Sequence, residues 1–434
     1  MNAMGEMTGA ALHAMAARLF PLHRSQTGEG VRGTLRVLAE WAPIEMREVP
    51  SGTDVFDWQV PPEWRLRDAY VADRTGARAI DVARSTLHVA NGSVPVRATM
   101  TWDGLRPHLR TCPDRPDDVP YITAFFRETW GFCLSQNACD AIERADLGPY
   151  EVVIDADVMS GEEGGSLTYG ECVLPGTSEE EVFVSAHTCH PSLANDNLSG
   201  LVVSALLARH LATRERRYTW RFLFAPATIG PIAWAATNRD VLPRIRHGLV
   251  LSLLGDPHPF TYKLSRDGEL PIDRVVRHVL ANRPHAIDDF VPWGYDERQY
   301  AAPGLDLPVG CLMRSRPGYP EYHTSADDLS LVKPEALGQS FDVVRAVADV
   351  LEGDATYRNT KPFGEPRLGP YGLYESLPEG DVLRLQQAVQ WVLNLSDTRH
   401  SLLDIAERAR MDFATIRDAA DRLEAVGLLE LVTA

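Results

Sequence analysis

Apolar runs of strand length recur from residue 150 onward, and stretches with helical spacing separate them. The helical stretches cover 197–213, 231–240 and 272–283. Apolar runs without alternation are typical of strands that are buried on both faces, as in parallel sheets covered by helices. The runs are YEVVIDA, EVFVSAH, YTWRFLFAP, HGLVLSLL and LPVGCLM. The pattern predicts an α/β fold with a mostly parallel (mixed) sheet and flanking helices, whose ligands gather at the carboxyl ends of the strands.

Two regions depart from this alternation. Before residue 146, proline and aromatic residues become frequent, and short alternating runs such as HVANGSVPVRATMTW predict strands and turns. After residue 365, helical stretches lead into a glycine turn and a short apolar strand, which is the outline of a winged helix. We therefore predict a discontinuous α/β domain over 1–50 and 146–365. A small β-rich domain is inserted over 51–145, and a winged-helix domain covers 366–434.

The charge balance argues against nucleic acid as a partner. The formal net charge is -17 at pH 7, whereas nucleic acids select for clustered Lys and Arg. From Ser376 to the end, acidic residues outnumber basic ones, and Asp418 and Asp421 lie on the helix that would read DNA. The winged helix is therefore predicted to serve packing or assembly, and the protein to be a homo-oligomer.

Membrane association and disulfide bonding are not predicted either. No apolar run approaches the roughly 20 residues of a membrane-spanning helix. Six cysteines are scattered along the chain without paired spacing, as is typical of reduced thiols. We therefore predict a cytoplasmic protein without a membrane partner.

The stretch AHTCHPSLANDNLSG concentrates groups that bind metals where a predicted strand ends. It contains His187, His190 and Asp196. Neutral imidazole and carboxylate are ligands that zinc accepts, and catalytic zinc sites keep one position open. A further ligand should come from another strand end, and His323 in PEYHTSADD follows the run LPVGCLM. The sequence thus predicts a metal site made from these four residues.

Longer motifs resemble a known clan. HTCHPSLANDNLSG, GYDERQYAAPGLDLPV and PEYHTSADDL resemble the aminopeptidase-like di-zinc exopeptidases, which include leucyl aminopeptidases and glutaminyl cyclases. LFPLHRSQTGEG, VPSGTDVFDWQVPPEW, WGFCLS and YKLSRDGELPIDR resemble a narrower bacterial family of that clan. That family has a small inserted domain and a C-terminal winged helix. The resemblance implies a zinc-exopeptidase-like fold and hydrolysis of amides.

The resemblance also implies roles for the metal-binding residues. His187 takes the place of the clan's first zinc histidine, in a motif whose usual acid is here Cys189. Asp196 matches the acid that bridges two metals, and His323 matches the distant histidine. His190 belongs to the narrower family and replaces or supplements His187; the sequence leaves both alternatives open.

The resemblance breaks at the loop after the next strand. The clan places a glutamate there as the general base, and often a second acid that binds metal. This chain has Ala227 and Thr228 at those positions, and Asp256 is displaced from the end of the following strand. We therefore expect one zinc ion rather than two. Three explanations stay open: Ala227 is an introduced substitution that traps a bound substrate, it marks a natural loss of catalysis, or Glu297 or Glu321 acts as a substitute base.

Other residues are candidates for contacts with the substrate. Asp296 and Glu297 stand where the clan has an Asp-His pair, so both either lie beside the substrate or anchor a loop. Lys263 and Arg266 are candidates for holding a substrate carboxylate, which Arg can do with two hydrogen bonds. Glu321 is a further candidate, since it precedes His323 by two residues.

The sequence therefore predicts a zinc-dependent, aminopeptidase-like amide hydrolase with low activity because of Ala227. Its substrate would be a short peptide or an aminoacylated or acylated small molecule. The alternative is a catalytically silent protein whose metal site binds a peptide-like ligand or assembles partners.

Overall fold

A computed structural model of the chain describes residues 9–373 and 379–432. The chain divides into two compact units, each described by itself below. The first comprises Met1–Ile272 with Arg283–Asp342, and the second Asp273–Asn282 with Val343–Ala434. Among the described residues, no helix combines the length and the apolar character that crossing a bilayer requires.

The elements are numbered here in chain order. The strands are β1 (Glu45–Pro50), β2 (Asp54–Val55), β3 (Trp58–Gln59), β4 (Glu63–Ala72), β5 (Arg78–Asp81), β6 (Val96–Met100), β7 (Leu109–Arg110), β8 (Phe132–Cys133), β9 (Tyr150–Met159), β10 (Ser166–Leu174), β11 (Glu181–His187), β12 (Thr219–Ala225), β13 (Ile245–Leu251), β14 (Phe260–Lys263), β15 (His285–Asp288), β16 (Val309–Met313), β17 (Thr356–Asn359), β18 (Asp397–Ser401) and β19 (Leu429–Leu431). The helices are α1 (Gly9–Leu19), α2 (Glu29–Leu38), α3 (Trp102–Leu105), α4 (Gln136–Ala145), α5 (Gly200–Ala212), α6 (Ile229–Thr237), α7 (Pro271–Leu280), α8 (Glu297–Tyr300), α9 (Pro334–Gly353), α10 (Glu379–Leu395), α11 (Leu402–Ala409) and α12 (Phe413–Ala425).

The first unit is built on an eight-stranded sheet in the order β1-β10-β12-β11-β13-β16-β14-β15. The four central strands β12, β11, β13 and β16 run parallel to one another. Antiparallel pairs join β10 to β12 and β14 to β16. The sheet is therefore mixed with a parallel centre, which confirms the predicted fold class. The carboxyl ends of the central strands meet at one edge.

Burial explains why this centre forms. Every residue of β11 is buried, as expected for a strand with both faces covered. Helix α5 is buried over almost its whole circumference, because its leucine, valine and alanine residues leave it no polar face. The aromatic rings of Phe183 and Trp234 stack beside the sheet with centroids 4.8 Å apart. The centre is thus closely packed up to the strand end that the candidate site residues follow.

A second sheet in the first unit has the order β5-β4-β9-β6. The sequence predicts the run YEVVIDA as a strand of the parallel sheet, and that placement is wrong: the strand forms as β9 but pairs with β4 and β6. Toward its end β9 alternates between buried and partly exposed residues, which is typical of an antiparallel sheet with one face in water. Val71, Phe132 and Ile154 belong to the separate core of this module.

The second unit contains a three-stranded sheet in the order β18-β17-β19 together with α10, α11 and α12. Helix α11 begins with a capping box between Ser401 and Asp404, and Asp412 caps α12. Buried Val389, Ile416 and Leu423 fill the space between helices and sheet. This is the predicted winged helix; the domain boundaries drawn from the sequence, at 50, 145 and 365, stay predictions.

Candidate metal centre

His187 and Asp196 form the centre of the site. His187 is the last residue of β11, and Asp196 lies in the turn that leads into α5. Both side chains are buried, and His187 Nε2 lies 2.8 Å from Asp196 Oδ1. The ring of His187 also stacks against Tyr295 with centroids 5.2 Å apart. The end of one parallel strand and the following turn therefore fix an imidazole and a carboxylate against each other.

Two further histidines complete the cluster. The ligand atoms of His187, His190 and Asp196 all lie within 4.8 Å of one another. His323 reaches the same carboxylate from the loop after β16, with its Nε2 3.1 Å from Asp196 Oδ2. The rings of His190 and His323 are 5.0 Å apart. The structure thus brings together the four residues that the sequence predicts as metal ligands.

The electrostatics suit a divalent cation. Burial raises the pKa of the Asp196 carboxyl, but the neighbouring imidazoles outweigh it, so that this pKa lies well below its ordinary value. Burial also holds the pKa of His190 well below its ordinary value. The site therefore presents an ionised carboxylate beside neutral imidazole, the protonation states that a metal requires. Three nitrogen donors and one oxygen donor fit zinc.

Asp327 binds the backbone that carries Asp196. Its two carboxylate oxygens accept hydrogen bonds from the backbone N–H groups of Asn195, at 2.6 Å, and Asp196, at 3.0 Å. The hydroxyl of Tyr319 donates to the same carboxylate at 2.6 Å. Burial raises the pKa of Asp327 to about 7. Our sequence reasoning did not select this residue, although it lies in the quoted motif PEYHTSADDL, four residues after His323.

The predicted β-rich domain, residues 51–145, also contributes to the site through Tyr121. The ring of Tyr121 meets those of His190 and His323 edge-on, with centroids 5.0 and 5.2 Å apart. The backbone N–H of Tyr121 donates to the carbonyl of His323 at 2.8 Å, and Ser325 N–H donates to Val119. Nothing in the sequence pattern around residue 121 indicates this contact, because it depends on how the module packs.

The amino-terminal segment holds the loop that carries His190. The guanidinium of Arg24 is 1% exposed, and its Nε donates to the carbonyl of His190 at 2.7 Å. Asn91 in turn donates to the carbonyl of Arg24 at 3.0 Å. Arg24 lies in LFPLHRSQTGEG, so the resemblance contained a signal for it, but composition and periodicity did not.

The loop after β12 faces this cluster without an acid. Ala227 is partly buried, and its backbone N–H donates to the sulfur of Cys189 at 3.3 Å. Thr228 has a φ of 66°, which is strained for a β-branched residue. Asp256 has other partners: it forms an ion pair with His258, at 2.7 Å, and accepts a hydrogen bond from the side chain of Asn195. The structure thus places no clan-type acid at this loop.

Asp296 and Glu297 are neighbours with different surroundings. Asp296 Oδ1 accepts a hydrogen bond from the backbone N–H of Thr228 at 2.8 Å, and burial raises the pKa of Asp296 to about 6. Glu297 is 0% exposed and forms an ion pair with Lys263. The ammonium of Lys263 also donates to the carbonyl of Trp293 at 2.6 Å. Asp296 thus belongs to the edge of the site, and Glu297 to a buried pair beside it.

The two remaining candidates lie farther out. Arg266 is exposed, forms an ion pair with Asp306 at 2.5 Å and donates to the carbonyl of Ala301. Glu321 is partly buried in the His323 loop, where its backbone carbonyl accepts from Thr324. Their predicted roles at the substrate stay predictions.

This chain is similar to known proteins over almost its whole length. A Clostridium acetobutylicum protein, named provisionally as a polysaccharide biosynthesis protein with an aminopeptidase-like domain, is 45% identical over 428 residues. The match covers 98% of this chain and 97% of the relative. A crystal structure from the same organism, described provisionally as a peptidase, has a TM-score of 0.90 at 44% identity and covers 98% of this chain and 96% of that chain.

More distant structures share the fold alone. The zinc aminopeptidase BSAP from Bacillus subtilis has a TM-score of 0.58 at 14% identity, over 79% of this chain and 95% of that chain.

A family described as a domain of unknown function, DUF4910, matches residues 13–354, and a winged helix-turn-helix family matches 355–431. The predicted aminopeptidase-like fold with a winged helix is confirmed, and the chain belongs to the DUF4910 family.

Proposed function

We propose that this protein is a zinc-dependent amide hydrolase that releases an amino acid or acyl group from a short peptide or an acylated small molecule. One observation carries the proposal: His323, 127 residues from Asp196 in the chain, joins His187, His190 and Asp196 beyond the carboxyl ends of the parallel strands. Structural packing alone seldom gathers three imidazoles around a fully buried carboxylate. The aminopeptidase-like fold supports the reaction class.

One zinc ion would be held by these four residues. When bound, zinc supplies a Lewis acid that polarises the substrate carbonyl and acidifies water. Asp196 orients two imidazoles through its separate oxygens, and Asp327 fixes the backbone that carries Asp196. Tyr121 packs its ring against two of the imidazoles and so limits the access of water. A second zinc site lacks its acids, because Thr228 stands at one position and Asp256 is paired elsewhere.

The contacts of Lys263 and Arg266 restrict what they can do for a substrate. Lys263 is committed to Glu297, and Arg266 to Asp306, so binding of a substrate carboxylate would require either residue to exchange its partner. We therefore propose that the reacting amide is recognised mainly at the metal, with Asp296 beside the reacting group. Acylated amino sugars belong among the substrates to be tested, since the Clostridium relative is named for polysaccharide biosynthesis.

A second candidate function has one observation in its favour. A methyl group at Ala227 cannot accept a proton, and it stands where the clan places its base. The protein would then bind a peptide-like ligand at the metal site without hydrolysing it.

Elemental analysis combined with an amide library separates the two functions. The purified chain should contain close to one zinc and should cleave members of a set of aminoacyl amides, short peptides and N-acyl sugars. A chelator should abolish cleavage, and added zinc should restore it. Zinc binding without turnover of any amide would favour the silent binding protein, and absence of a bound metal would refute both.

The second unit is proposed to serve assembly rather than DNA binding. Two arginines of α12, Arg417 and Arg422, form ion pairs with Asp421 and Asp418 on the same helix. Their charges are thus balanced by acids on the same helix, whereas a DNA-binding helix presents unpaired basic side chains. Light scattering of the full chain should show a homo-oligomer, and DNA-binding assays at low salt should show no salt-dependent complex. A cytoplasmic location likewise stays a prediction.

A further inference from the structure

Hydrolysis needs a group that accepts a proton from the attacking water, and position 227 offers none. Asp296 accepts a hydrogen bond from that loop, and Glu297 follows it in the chain. The ion pair with Lys263 holds Glu297, and 0% of Glu297 is exposed. This carboxylate is already engaged by the ammonium of Lys263, and breaking the pair would leave a buried charge without its partner. Glu297 is therefore poorly suited to act as the base.

Asp296 is held differently. One carboxylate oxygen accepts from the backbone N–H of Thr228, next to Ala227. The preceding residue, Tyr295, stacks on His187 with an interplanar angle of 18°. This segment thus contacts the metal cluster through residue 295 and the acid-free loop through residue 296. The Asp296 carboxylate is thus held against the residue that follows Ala227, and its chain neighbour packs on a candidate metal ligand.

Helix α8 fixes this placement. The hydroxyls of Tyr300 and Ser185 are 2.8 Å apart and buried, which ties α8 to the strand that ends in His187. The guanidinium of Arg298 donates to the side chain of Thr228 at 3.3 Å, so a second contact joins α8 to the loop. Asp296 therefore directly precedes a helix that is tied both to β11 and to the loop after β12.

We propose that Asp296 is the general base of this chain and replaces the carboxylate that position 227 lacks. The inference rests on the proposed amide hydrolysis. A proton moves from the attacking water to Asp296 while the water oxygen forms a bond to the amide carbon. The C–N bond then breaks, the proton passes from Asp296 to the leaving nitrogen, and the carboxylate is regenerated. No oxidant or reductant takes part.

The test compares four proteins: the unaltered chain, Asp296→Asn, Ala227→Glu, and the double variant. Asp296→Asn should lower kcat by about a hundredfold or more, because a general base typically supplies a factor of about 10²–10⁴, and should change KM little. In the double variant, the glutamate introduced by Ala227→Glu would supply the missing carboxylate and restore kcat to within about tenfold of the unaltered chain. Zinc content and melting temperature are measured for each protein, and both should stay close to those of the unaltered chain.

The exposed Asp289 provides a matched control, since Asp289→Asn makes the same chemical change outside the site and should leave kcat unchanged. If Asp296→Asn fails to fold, Asp296→Ser takes its place, because serine keeps an oxygen that can accept from Thr228.

Each other outcome overturns the inference. Undiminished turnover in Asp296→Asn would show that another group is the base while amide hydrolysis stands. A low kcat in both Asp296→Asn and the double variant would make Asp296 a positioning residue. Turnover by Ala227→Glu alone would leave the proposed function standing without Asp296 as base. Silence of both the unaltered chain and Ala227→Glu on the whole amide library would refute the proposed function as well.

Discussion

The two sides of the candidate metal centre differ in what they keep. On the side of β11 and the His323 loop, the ligands are tied to one another: His187 and His323 share Asp196, and Asp327 fastens the backbone beneath it. On the side of the loop after β12, Ala227 offers only a backbone N–H, which it gives to Cys189. One side presents the four candidate ligands, and the loop on the other side carries alanine and threonine at the positions of the clan's acids.

In the proposed function, metal binding and proton transfer are therefore separate tasks. The candidate ligands His187 and His323 share the carboxylate of Asp196, so a substitution of any of the three leaves a buried group without a partner. The proposed proton acceptor, Asp296, is held by the backbone N–H of Thr228 rather than by the imidazoles, and would act for the carboxylate that position 227 lacks. A chain can therefore change its base while keeping its metal.

The largest effect is expected on the ligand side. Asp196→Ala removes the only carboxylate in the cluster and leaves His187 and His323 without their common partner. We expect the protein to lose its zinc, as measured by elemental analysis after gel filtration. His323→Ala should do the same. Full zinc occupancy in both variants would show that the cluster is not the metal site.

A large effect of another kind is expected beside the acid-free loop. Glu297→Gln leaves Lys263 buried and unpaired, which typically costs about 3–5 kcal/mol of the free energy of unfolding. Urea denaturation at neutral pH measures this loss, and zinc content should stay unchanged. As a control, Lys263→Met combined with Glu297→Gln removes both charges and should recover much of the stability. Loss of zinc in Glu297→Gln would contradict the separation of the two sides.

A smaller effect should come from the support of the ligand side. Asp327→Asn keeps one acceptor oxygen and so loses one of its two backbone hydrogen bonds. Partners of this kind typically contribute about 10- to 100-fold in metal affinity, and we expect a loss in that range by competition with a chelator. Asp328→Asn is the matched neighbour, whose carboxylate accepts only from Ser330 among the contacts described, and should bind zinc normally. Equal affinities of the two variants would remove Asp327 from the site.

The smallest effect is expected for the hydroxyl of Tyr121. Tyr121→Phe keeps the ring contacts with His190 and His323, so zinc affinity should change by less than about fivefold, the value of one neutral hydrogen bond. Tyr121→Ala also removes the ring and should weaken zinc binding more. Identical behaviour of the two variants would show that the ring does not support the ligands.

Much of the parallel centre was predictable because its strands are buried on both faces and therefore read as unbroken apolar runs. The ligand residues were predictable for a related reason: His187 ends such a run directly, and His323 follows another within a loop. Strand β9 was placed in the wrong sheet, because an apolar run shows that a strand is buried but does not identify its neighbours.

The supporting residues were harder to predict. Asp327, Tyr121 and Arg24 act through contacts between segments far apart in the chain, and no local pattern encodes such contacts. Asp296 and Glu297 are adjacent acids in the sequence. Only the structure distinguishes them, because Glu297 forms an ion pair with Lys263.

The backbone contact between Tyr121 and His323 has a consequence for the timing of folding. His187 and Asp196 are only 9 residues apart, whereas His323 is 127 residues from Asp196 and is also bound to residue 121. Loops of that length close late, after local structure has formed. We therefore expect His323 to join the site only after the segment around Tyr121 has packed against it. During refolding, uptake of zinc should lag behind the recovery of secondary structure and mark the completion of the first unit.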